Sequence, residues 1–400
     1  MTQPYMFEKP LGLRDYLPLA HRAVTGLESI VHEELLRWGY DFLQTPALEY
    51  VETVGRASAI EDSQLFKFLD IEGHPVVLRP DMTTPIARIA ASSLAHEPLP
   101  LRLAYSAALY RSQKREGGHP SEFKQTGAEL IGDATPYADA EAISLMTMLL
   151  QKTGLPSIRL AIGHVGFVNA FLRAMTKEQA AVDQLRHLLY VKNDVGFRKY
   201  ASKLAIPKEN LEKLLLFIDS RRMNNASTLA FLQQMAEQAR SLHPYYQAIM
   251  ELTQLLQFNH VDKKIDLDVT LMPHLSYYTG IVFQGFGGGL GFPVASGGRY
   301  DHLLAQFNRP CPATGFGIRM DRLMRAVHVE GMFSAQQKEA IIYDQANAEK
   351  ALQAARAARD KGVPVVLQHA AAIADYASFI KQFRKVYRFL GEEAGSETMR

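Results

Sequence analysis

The sequence predicts an α+β fold built on an antiparallel sheet, with helices grouped on one side. Three observations predict it. Short strand-like runs recur at PVVLRP (75–80), LRLAYSAALYR (101–111) and SEFKQTGAELIG (121–132). The last two are joined by SQKREGGHP, a polar turn holding Gly117, Gly118 and Pro120, which is the signature of a long hairpin. The coarse order along the chain is helix, antiparallel strands, helices, strands, helix and a short tail.

The elements follow in order. LAHRAVTGLESIVHEELLRW (19–38) sets Val24, Leu27, Ile30, Val31, Leu35 and Trp38 at helical spacing, and Gly39 follows as a stop. YDFLQTPALEYVE reads as extended, bent at Pro46. After the hairpin strands, residues 137–153 read as a helix and IRLAIGHV (158–165) as a strand. Runs such as KENLEKLLLFIDS and STLAFLQQMAEQA make 168–257 an all-helical insertion. Strand character returns in KIDLDVTL (264–271) and in PHLSYYTG (273–280) leading into IVFQGF (281–286), followed by the turn GGGLG. A last core helix is expected to begin near GIRMDRLMRAV. A small α/β piece then runs through AIIY, a helix over about 345–361, VPVVL, a further helix and YRFL, with GSETMR expected to fray. The expected domains are a core in two parts, 1–167 and 258–328, the helical insertion 168–257, and a C-terminal α/β domain 329–400. No internal repeat is visible.

The totals narrow the function. The chain has 400 residues, 47% of them hydrophobic and 22% charged, ordinary for a globular protein of two or three domains. A net charge of +2 gives no support to a nucleic-acid binder. One cysteine, Cys311, excludes an intrachain disulfide and a Cys-rich metal site. The stretch MTQPYMFEKPLGLRDYLP has neither an apolar run nor a cleavage pattern, so no signal peptide is expected. No run of about 18 apolar residues suggests a membrane span. A reducing cytoplasm is the expected compartment. HExxH, CxxC and GxSxG patterns are absent from the sequence, which leaves metal-hydrolase and serine-hydrolase chemistry without support.

Four polar clusters could carry chemistry. In LRPDMTTPIAR (78–88), Asp81 could accept from an ammonium group and Thr83 or Thr84 could add a hydroxyl. Equally, Asp81 or Thr84 could be the N-cap of a helix starting at Pro85, and taken alone the cap is favoured. On the second hairpin strand Gln125, Gly127 and Glu129 share one face, with Gly127 leaving room above the sheet. If Arg111 faces that side, the floor offers an anion clamp beside a carboxylate, suited to a zwitterion such as an amino acid. The competing reading is a solvated sheet face, and the two weigh about equally. Tyr277 and Tyr278, if extended, point to opposite faces, so at most one lines a pocket. ASGGRYDHLL (295–304) and ATGFGIRMDRL (313–323) place glycines beside Arg299, Arg319 and Arg322, but lack the Lys-Ser/Thr of a phosphate loop.

Together and in order, these stretches resemble the class II aminoacyl-tRNA synthetase core, and within it histidyl-tRNA synthetase, over residues 8–328. GYDFLQTPALEY (39–50) resembles motif 1, the family's dimer element, which implies a homodimer. ALYRSQKREGGHPSEFKQTGAELIG resembles motif 2, with Arg111 at the substrate-clamping arginine. LSYYTGIVF resembles the histidine-specific loop, RGLDYYTGxVFE in the synthetase. GGRYDHLL and GFGIRMDRL resemble the segments leading to and forming motif 3. The departures carry equal weight. The catalytic arginine falls on Pro273, its glycine on His274 and its aspartate on Ser276. Proline has no charge and no donor for a carboxylate–phosphate transition state. The motif 2 glutamate falls on Gln113. The motif 3 GxER becomes Arg319-Met320-Asp321-Arg322, so a long arginine crowds the place of a nucleotide. Only about 70 residues follow the core, fewer than a synthetase's anticodon-binding domain.

The amino-acid side is retained. Asp81, Met82, Thr83, Arg111, Gln125, Glu129, Tyr277 and Tyr278 fall on histidine-pocket positions. The combination resembles the synthetase paralogues that serve as regulatory subunits of the short-form ATP phosphoribosyltransferase, where LRPDMTTPIAR replaces the synthetase RPEGT. The resemblance implies a non-catalytic partner of the short catalytic subunit that mediates feedback by histidine, without tRNA, metal or cofactor. Two alternatives stand beside it: a synthetase-like ligase that activates an amino acid for a non-tRNA acceptor, and a scaffold with a vestigial pocket.

Overall fold

A computed structural model of the chain describes residues 6–55, 57–112, 120–273, 275, 277–327, 338–391 and 396–399. The chain divides into two compact units, Met1–Val329 and Glu330–Arg400.

In the first unit, helix α1 (Pro18–Arg37) starts with proline in its first turn and buries Ala23, Val24, Leu27, Val31 and Leu35 along one face. Gly39, at φ +78°, ends it: Gly39 N–H donates to Leu36 O (3.0 Å) and Tyr40 N–H to Leu35 O (3.1 Å), closing the last carbonyls. The expected extended stretch breaks at Pro46 into β1 (Asp41–Phe42) and β2 (Leu48–Tyr50). Strands β3 (Lys67–Leu69) and β4 (Pro75–Leu78) complete a small antiparallel sheet, order β2-β4-β3. Helix α2 (Thr83–Ala91) follows, then β5 (Leu101–Tyr110), β6 (Glu122–Ile131), α3 (Pro136–Lys152) and β7 (Arg159–His164). β5 and β6 pair antiparallel out to Tyr110–Glu122, and residues 113–119 of the turn between them, Gln113 included, lie outside the described residues.

Six helices come next: α4 (Val165–Met175), α5 (Gln179–Tyr190), α6 (Asp194–Ala201), α7 (Lys208–Asp219), α8 (Asn225–Gln238) and α9 (His243–Phe258). Stacked phenylalanines hold them together, with Phe171 4.5 Å from Phe217 and 6.1 Å from Phe167. His164 caps α4 through Nδ1, which accepts from Phe167 N–H. Burial pushes its imidazole down to about 4, so it caps as a neutral ring.

The chain then returns to the sheet with β8 (Ile265–Leu267), β9 (Ile281–Phe286), β10 (Ala295–Arg299) and β11 (Ala313–Arg319), and ends in α10 (Met320–Ala326). Among the described residues the main sheet runs β1-β5-β6-β11-β10-β9-β7-β8, antiparallel except for its two edge pairs, β1 with β5 and β7 with β8.

Three expectations change here. KIDLDVTL is a strand only to Leu267, because the Asp268 carboxylate accepts from Thr270 N–H (3.0 Å) and Thr270 Oγ1 (2.6 Å), folding the chain into a turn. Tyr277 and Tyr278 are not in a strand: Tyr277 lies in a turn and the strand starts at Ile281, while His274 and Ser276 lie outside the described residues. The helix expected near Gly317 starts at Met320, since GFGIR belongs to β11.

In the second unit, β12 (Glu339–Tyr343), α11 (Ala348–Asp360), β13 (Val365–His369), α12 (Tyr376–Ile380) and β14 (Lys385–Phe389) form a parallel sheet with one helix per face. Ala351 and Ala355 pack with Ile341 and Val365 on one face; Ala340, Ile342, Phe383 and Val386 fill the other. The tail expected to fray instead supplies β15 (Ser396–Met399), antiparallel to β14.

One buried ion pair pins the centre of the first unit. Arg299 Nε donates to Asp139 Oδ2 (2.9 Å), and its other nitrogens reach Asp133 O (3.0 Å), Thr135 O (3.1 Å) and Asp301 Oδ1 (3.3 Å). Arg299 is therefore a structural clamp between β10 and α3. Removing one partner of such a pair costs about 3–5 kcal/mol, and replacing both by apolar groups costs less. Arg299→Met is expected to lower the unfolding free energy by about that amount in urea titration, and Arg299→Met with Asp139→Leu to recover part of it.

Candidate functional site

The residues singled out from the sequence converge. Asp81, Met82, Thr83, Arg111, Gln125, Glu129, Tyr277 and Tyr278 all line one cavity of about 220 Å³ in the first unit, together with Tyr105, Phe123, Tyr300 and Arg319. That volume lies below the roughly 300–1,000 Å³ of sites for drug-sized ligands, so it suits one small molecule.

Its floor is β6. Glu129 is buried, with Oε1 accepting from Thr83 Oγ1 (2.9 Å) and Oε2 from Tyr300 OH (2.6 Å). Thr83 opens α2 and also accepts from Tyr277 OH at 3.5 Å. One carboxylate thus links β6, the start of α2 and the residue after β10. Asp81 stands just before the helix, which begins at Thr83 and not at Pro85. Its Oδ1 accepts from Thr84 N–H (2.8 Å) as a helix cap, while Oδ2, buried, has no hydrogen-bond partner. Arg111 leaves the end of β5, donates through Nε to Pro80 O (2.8 Å), and carries its guanidinium 5.5 Å above the Phe123 ring.

Both tyrosines line the cavity, because the turn at Tyr277 removes the strand alternation that would have split them. Their ring centroids lie 4.9 Å apart, and Tyr277 meets Tyr300 edge-on at 5.7 Å. The room expected above Gly127 is taken: a Cβ there would lie 2.6 Å from the Tyr105 hydroxyl oxygen.

Sequence reasoning missed three residues. Gly315 and Gly317 of β11 pair in register with Glu129 and Gly127, and a Cβ on them would collide with the side chains of Glu129 and Gln125 respectively. The bare strand gives the two polar groups their space. The signal was the period-two spacing of glycines in ATGFGIR, which marks one face of a strand. Tyr300, the third, sat unremarked inside GGRYD. Among the described residues no group of three or more His, Cys, Asp or Glu could hold a metal, and no helix is long and apolar enough to cross a membrane.

Comparison with known proteins supplies the context. Residues 12–323 match the family model for histidyl-tRNA synthetase, and residues 340–391 match the model described as histidyl-tRNA synthetase HisZ, C-terminal domain. An ATP phosphoribosyltransferase regulatory subunit of Geobacillus kaustophilus is 45% identical over 388 residues, covering 97% of each chain. That of Bacillus subtilis is 39% identical over 387 residues, covering 97% of this chain and 98% of its relative. The crystal structure of an ATP phosphoribosyltransferase regulatory subunit/histidyl-tRNA synthetase from Bacillus halodurans superposes with a TM-score of 0.91 at 40% identity, covering 98% of this chain and 100% of that one. Histidyl-tRNA synthetase from Nostoc shares the fold, with a TM-score of 0.80 at 17% identity over 99% of this chain and 97% of that one.

The electrostatics of the cavity are set by burial. Burial pushes the Glu129 carboxyl up to about 8, against the pull of its bonds from Tyr300 and Thr83. Asp81 is raised for the same reason, with its Thr84 bond and Arg111 acting in the opposite sense. Arg111 is lowered by burial. Near neutral pH burial therefore favours the protonated form of Glu129. A carboxyl raised on folding holds its proton in the native state after the unfolded chain has lost it. Its contribution to stability thus falls as pH rises from the ordinary glutamate value of 4.5 through about 8. Glu129→Gln keeps a neutral polar group of the same shape and abolishes this loss. Thermal melts are expected to coincide for variant and wild type near pH 5, with the variant melting higher at pH 9.

Proposed function

The chain belongs to the histidyl-tRNA synthetase family and, within it, to the ATP phosphoribosyltransferase regulatory subunits, and from that premise we propose that its cavity is a histidine sensor for a separate catalytic subunit. In this reading the protein activates the short catalytic subunit, which joins ATP to phosphoribosyl pyrophosphate in the first step of histidine biosynthesis, and carries histidine's feedback to it. It works in the cytoplasm as a homodimer within a hetero-oligomer, without tRNA.

The observation that carries the proposal is the gathering of two carboxyl groups, Asp81 and Glu129, and the Arg111 guanidinium in one cavity of about 220 Å³. A zwitterion with an imidazole ring matches that pattern. Asp81 Oδ2, buried and lacking a partner, receives the ammonium group or the ring N–H together with Glu129. Arg111 and Gln125 face the carboxylate. Tyr277 and Tyr278 form the ring wall, with Met82 and Thr83 beside them. Hydrogen bonds to charged groups contribute about 1.5–3 kcal/mol each, so two or three of them account for selective binding. The synthetase reaction is not carried over, because Pro273 offers no cation where the family's catalytic arginine stands.

Regulation requires that histidine bind the active and inactive assemblies with different affinity, since only that difference moves an equilibrium. Reconstitution tests the whole reading. Mixed with a short catalytic subunit, the chain is expected to stimulate formation of phosphoribosyl-ATP, and added histidine to suppress it. Absence of stimulation removes the activating role. Histidine-dependent exchange of pyrophosphate into ATP by the chain alone would establish the amino-acid-activating ligase instead. Histidine titration by calorimetry tests the site: Asp81→Asn keeps the cap to Thr84, removes the charge, and is expected to weaken binding at least tenfold, or about 1.4 kcal/mol. No binding to the wild type, alone or in the complex, leaves a scaffold with a vestigial pocket.

A further inference from the structure

Beside the first cavity lies a second, of about 260 Å³, and the two share a wall: Pro273, Leu275 and Tyr278 line both. The second is bounded on one side by Ala59 and Glu61, between β2 and β3, and on another by helix α5 of the helical insertion. Helix α5 has two faces. Ala181, Val182, Leu185, Leu188 and Leu189 are buried and hold it in the insertion. Asp183, Arg186, His187 and Tyr190, spaced i, i+3, i+4 and i+7, make a polar stripe, and all four line the cavity. A polar helix face ordinarily meets only water. This one shares a cavity with Tyr278.

Two observations point to a ligand. The first is a donor without an acceptor. Arg186 Nε is shielded from water and has no hydrogen-bond partner, and the Asp183 carboxylate reaches Nη1 only at 3.7 Å, too far for a hydrogen bond. A buried donor left unsatisfied is destabilising, and an incoming carboxylate relieves it. The second is composition. The first cavity offers carboxyl groups, a guanidinium and tyrosine rings, and the second repeats the set with Asp183, Glu61, Arg186, Tyr190 and the shared Tyr278. Burial pushes the Tyr190 hydroxyl up and the Glu61 charge acts in the same sense, so the two sides of the cavity are within electrostatic reach. The walls are also anchored. Arg221 donates to Leu189 O (3.5 Å), near the end of α5, and to Thr270 Oγ1, two residues before Met272 of the cavity. Tyr278 packs with Val165, at the start of α4, and with Leu271 and Val282.

We propose that the second cavity binds an amino-acid zwitterion with a flat side chain, its carboxylate on Arg186, its ammonium group between Asp183 and Glu61, and its ring against Tyr278. Histidine has this form. The charged groups here are more exposed than those of the first cavity, Arg186 by 36% and Asp183 by 57%, so water weakens their hold and the second site is the weaker of the two. Because Tyr278 is a wall of both cavities, a ligand in one alters the surface offered to the other, and the two bindings are energetically coupled. Only that coupling rests on the function proposed above; the second site rests on its own lining.

The test titrates L-histidine by calorimetry into the full chain as wild type, Asp81→Asn, Arg186→Gln and Glu61→Gln. The Arg186–Asp183 pair is exposed and glutamine is a good helix former, so Arg186→Gln keeps the fold, which thermal melting checks; Glu61→Gln probes the same site from a separate element. The expected result is two histidines per wild-type chain, one tighter and one weaker. The weaker is expected to fall at least tenfold in affinity in Arg186→Gln and in Glu61→Gln and to persist in Asp81→Asn. Histamine, which has the ring and the ammonium group without the carboxylate, is expected to bind wild type and Arg186→Gln equally. A single histidine per wild-type chain, insensitive to Arg186→Gln, overturns the inference and leaves the sensor standing. A second histidine that survives Arg186→Gln unchanged overturns it too, as does a wild type that binds none. A single histidine lost in Arg186→Gln and kept in Asp81→Asn supports the second site and removes the sensor, so the two failures are distinguishable.

Discussion

The site is organised around one constraint: a carboxylate with almost no access to water has to be kept at the centre of a sheet. Burying a charge is costly unless it is neutralised or bonded. The structure answers on every side of Glu129. Thr83 and Tyr300 each give it a hydroxyl, burial keeps its proton on near neutral pH, and Gly315 opposite withholds a side chain. Those answers fix other parts of the chain. Thr83 begins α2, whose first turn is capped by Asp81, so the second acid of the cavity is placed by the same local arrangement. Tyr300 follows β10, and Tyr277 rests on both Thr83 and Tyr300. A protein needing only stability would have no reason to keep this carboxyl, and local penalties of this kind concentrate where function requires them.

The aromatic wall depends on a different anchor. Thr279 N–H donates to Arg299 O at 2.8 Å, and Asp301 N–H donates back to Thr279 Oγ1 at 3.1 Å. The turn bearing Tyr277 and Tyr278 is thus attached to the residue whose side chain is clamped by Asp139. Gly280 packs its Cα against the same arginine, where a Cβ would lie 3.1 Å from Cδ. The acidic floor and the tyrosine wall are consequently held by separate buried charges, one nearly neutralised by its proton and one by an ion pair. The two anchors meet where the Tyr277 hydroxyl donates to Thr83, which itself donates to Glu129.

How much of this the sequence disclosed depended on how local each cause was. The β5–β6 hairpin was readable because its alternation lies within each strand, and that alternation also put Gln125 and Glu129 on one face. The ends of α1 were readable because Pro18 and Gly39 are its own caps. β11 was not: GFGIR looks like loop, since its glycines answer to Glu129 and Gln125 on a strand distant in sequence. Tyr277 and Tyr278 were assigned to opposite faces by a rule for extended chain, and a turn made the rule inapplicable. Asp81 was weighed as cap or ligand contact; one of its oxygens accepts from Thr84 N–H, and the other is buried without a hydrogen-bond partner. Likeness to known sequences brought the scattered residues to one cavity; periodicity alone could not have joined Asp81 to Tyr277.

The same geometry limits how a sensor of this kind could report its ligand. The cavity walls include β6, the start of α2 and the turn before β9, with Tyr105 of β5 and Gly315 and Arg319 of β11. What can change is the state of Glu129. Protonated, it shares two hydroxyls and can donate a bond; ionised, it accepts only, and Thr83 and Tyr300 must both keep pointing at it. A ligand bringing an ammonium or ring N–H favours the ionised form, because an opposite charge at hydrogen-bond distance offsets the burial that had raised the carboxyl. Binding would then be coupled to release of a proton and to tighter seating of α2 and Tyr300 on the same carboxylate. In the proposed reading, the difference in affinity that regulation demands reduces to which assembly already holds α2 and Tyr300 in the tighter seat.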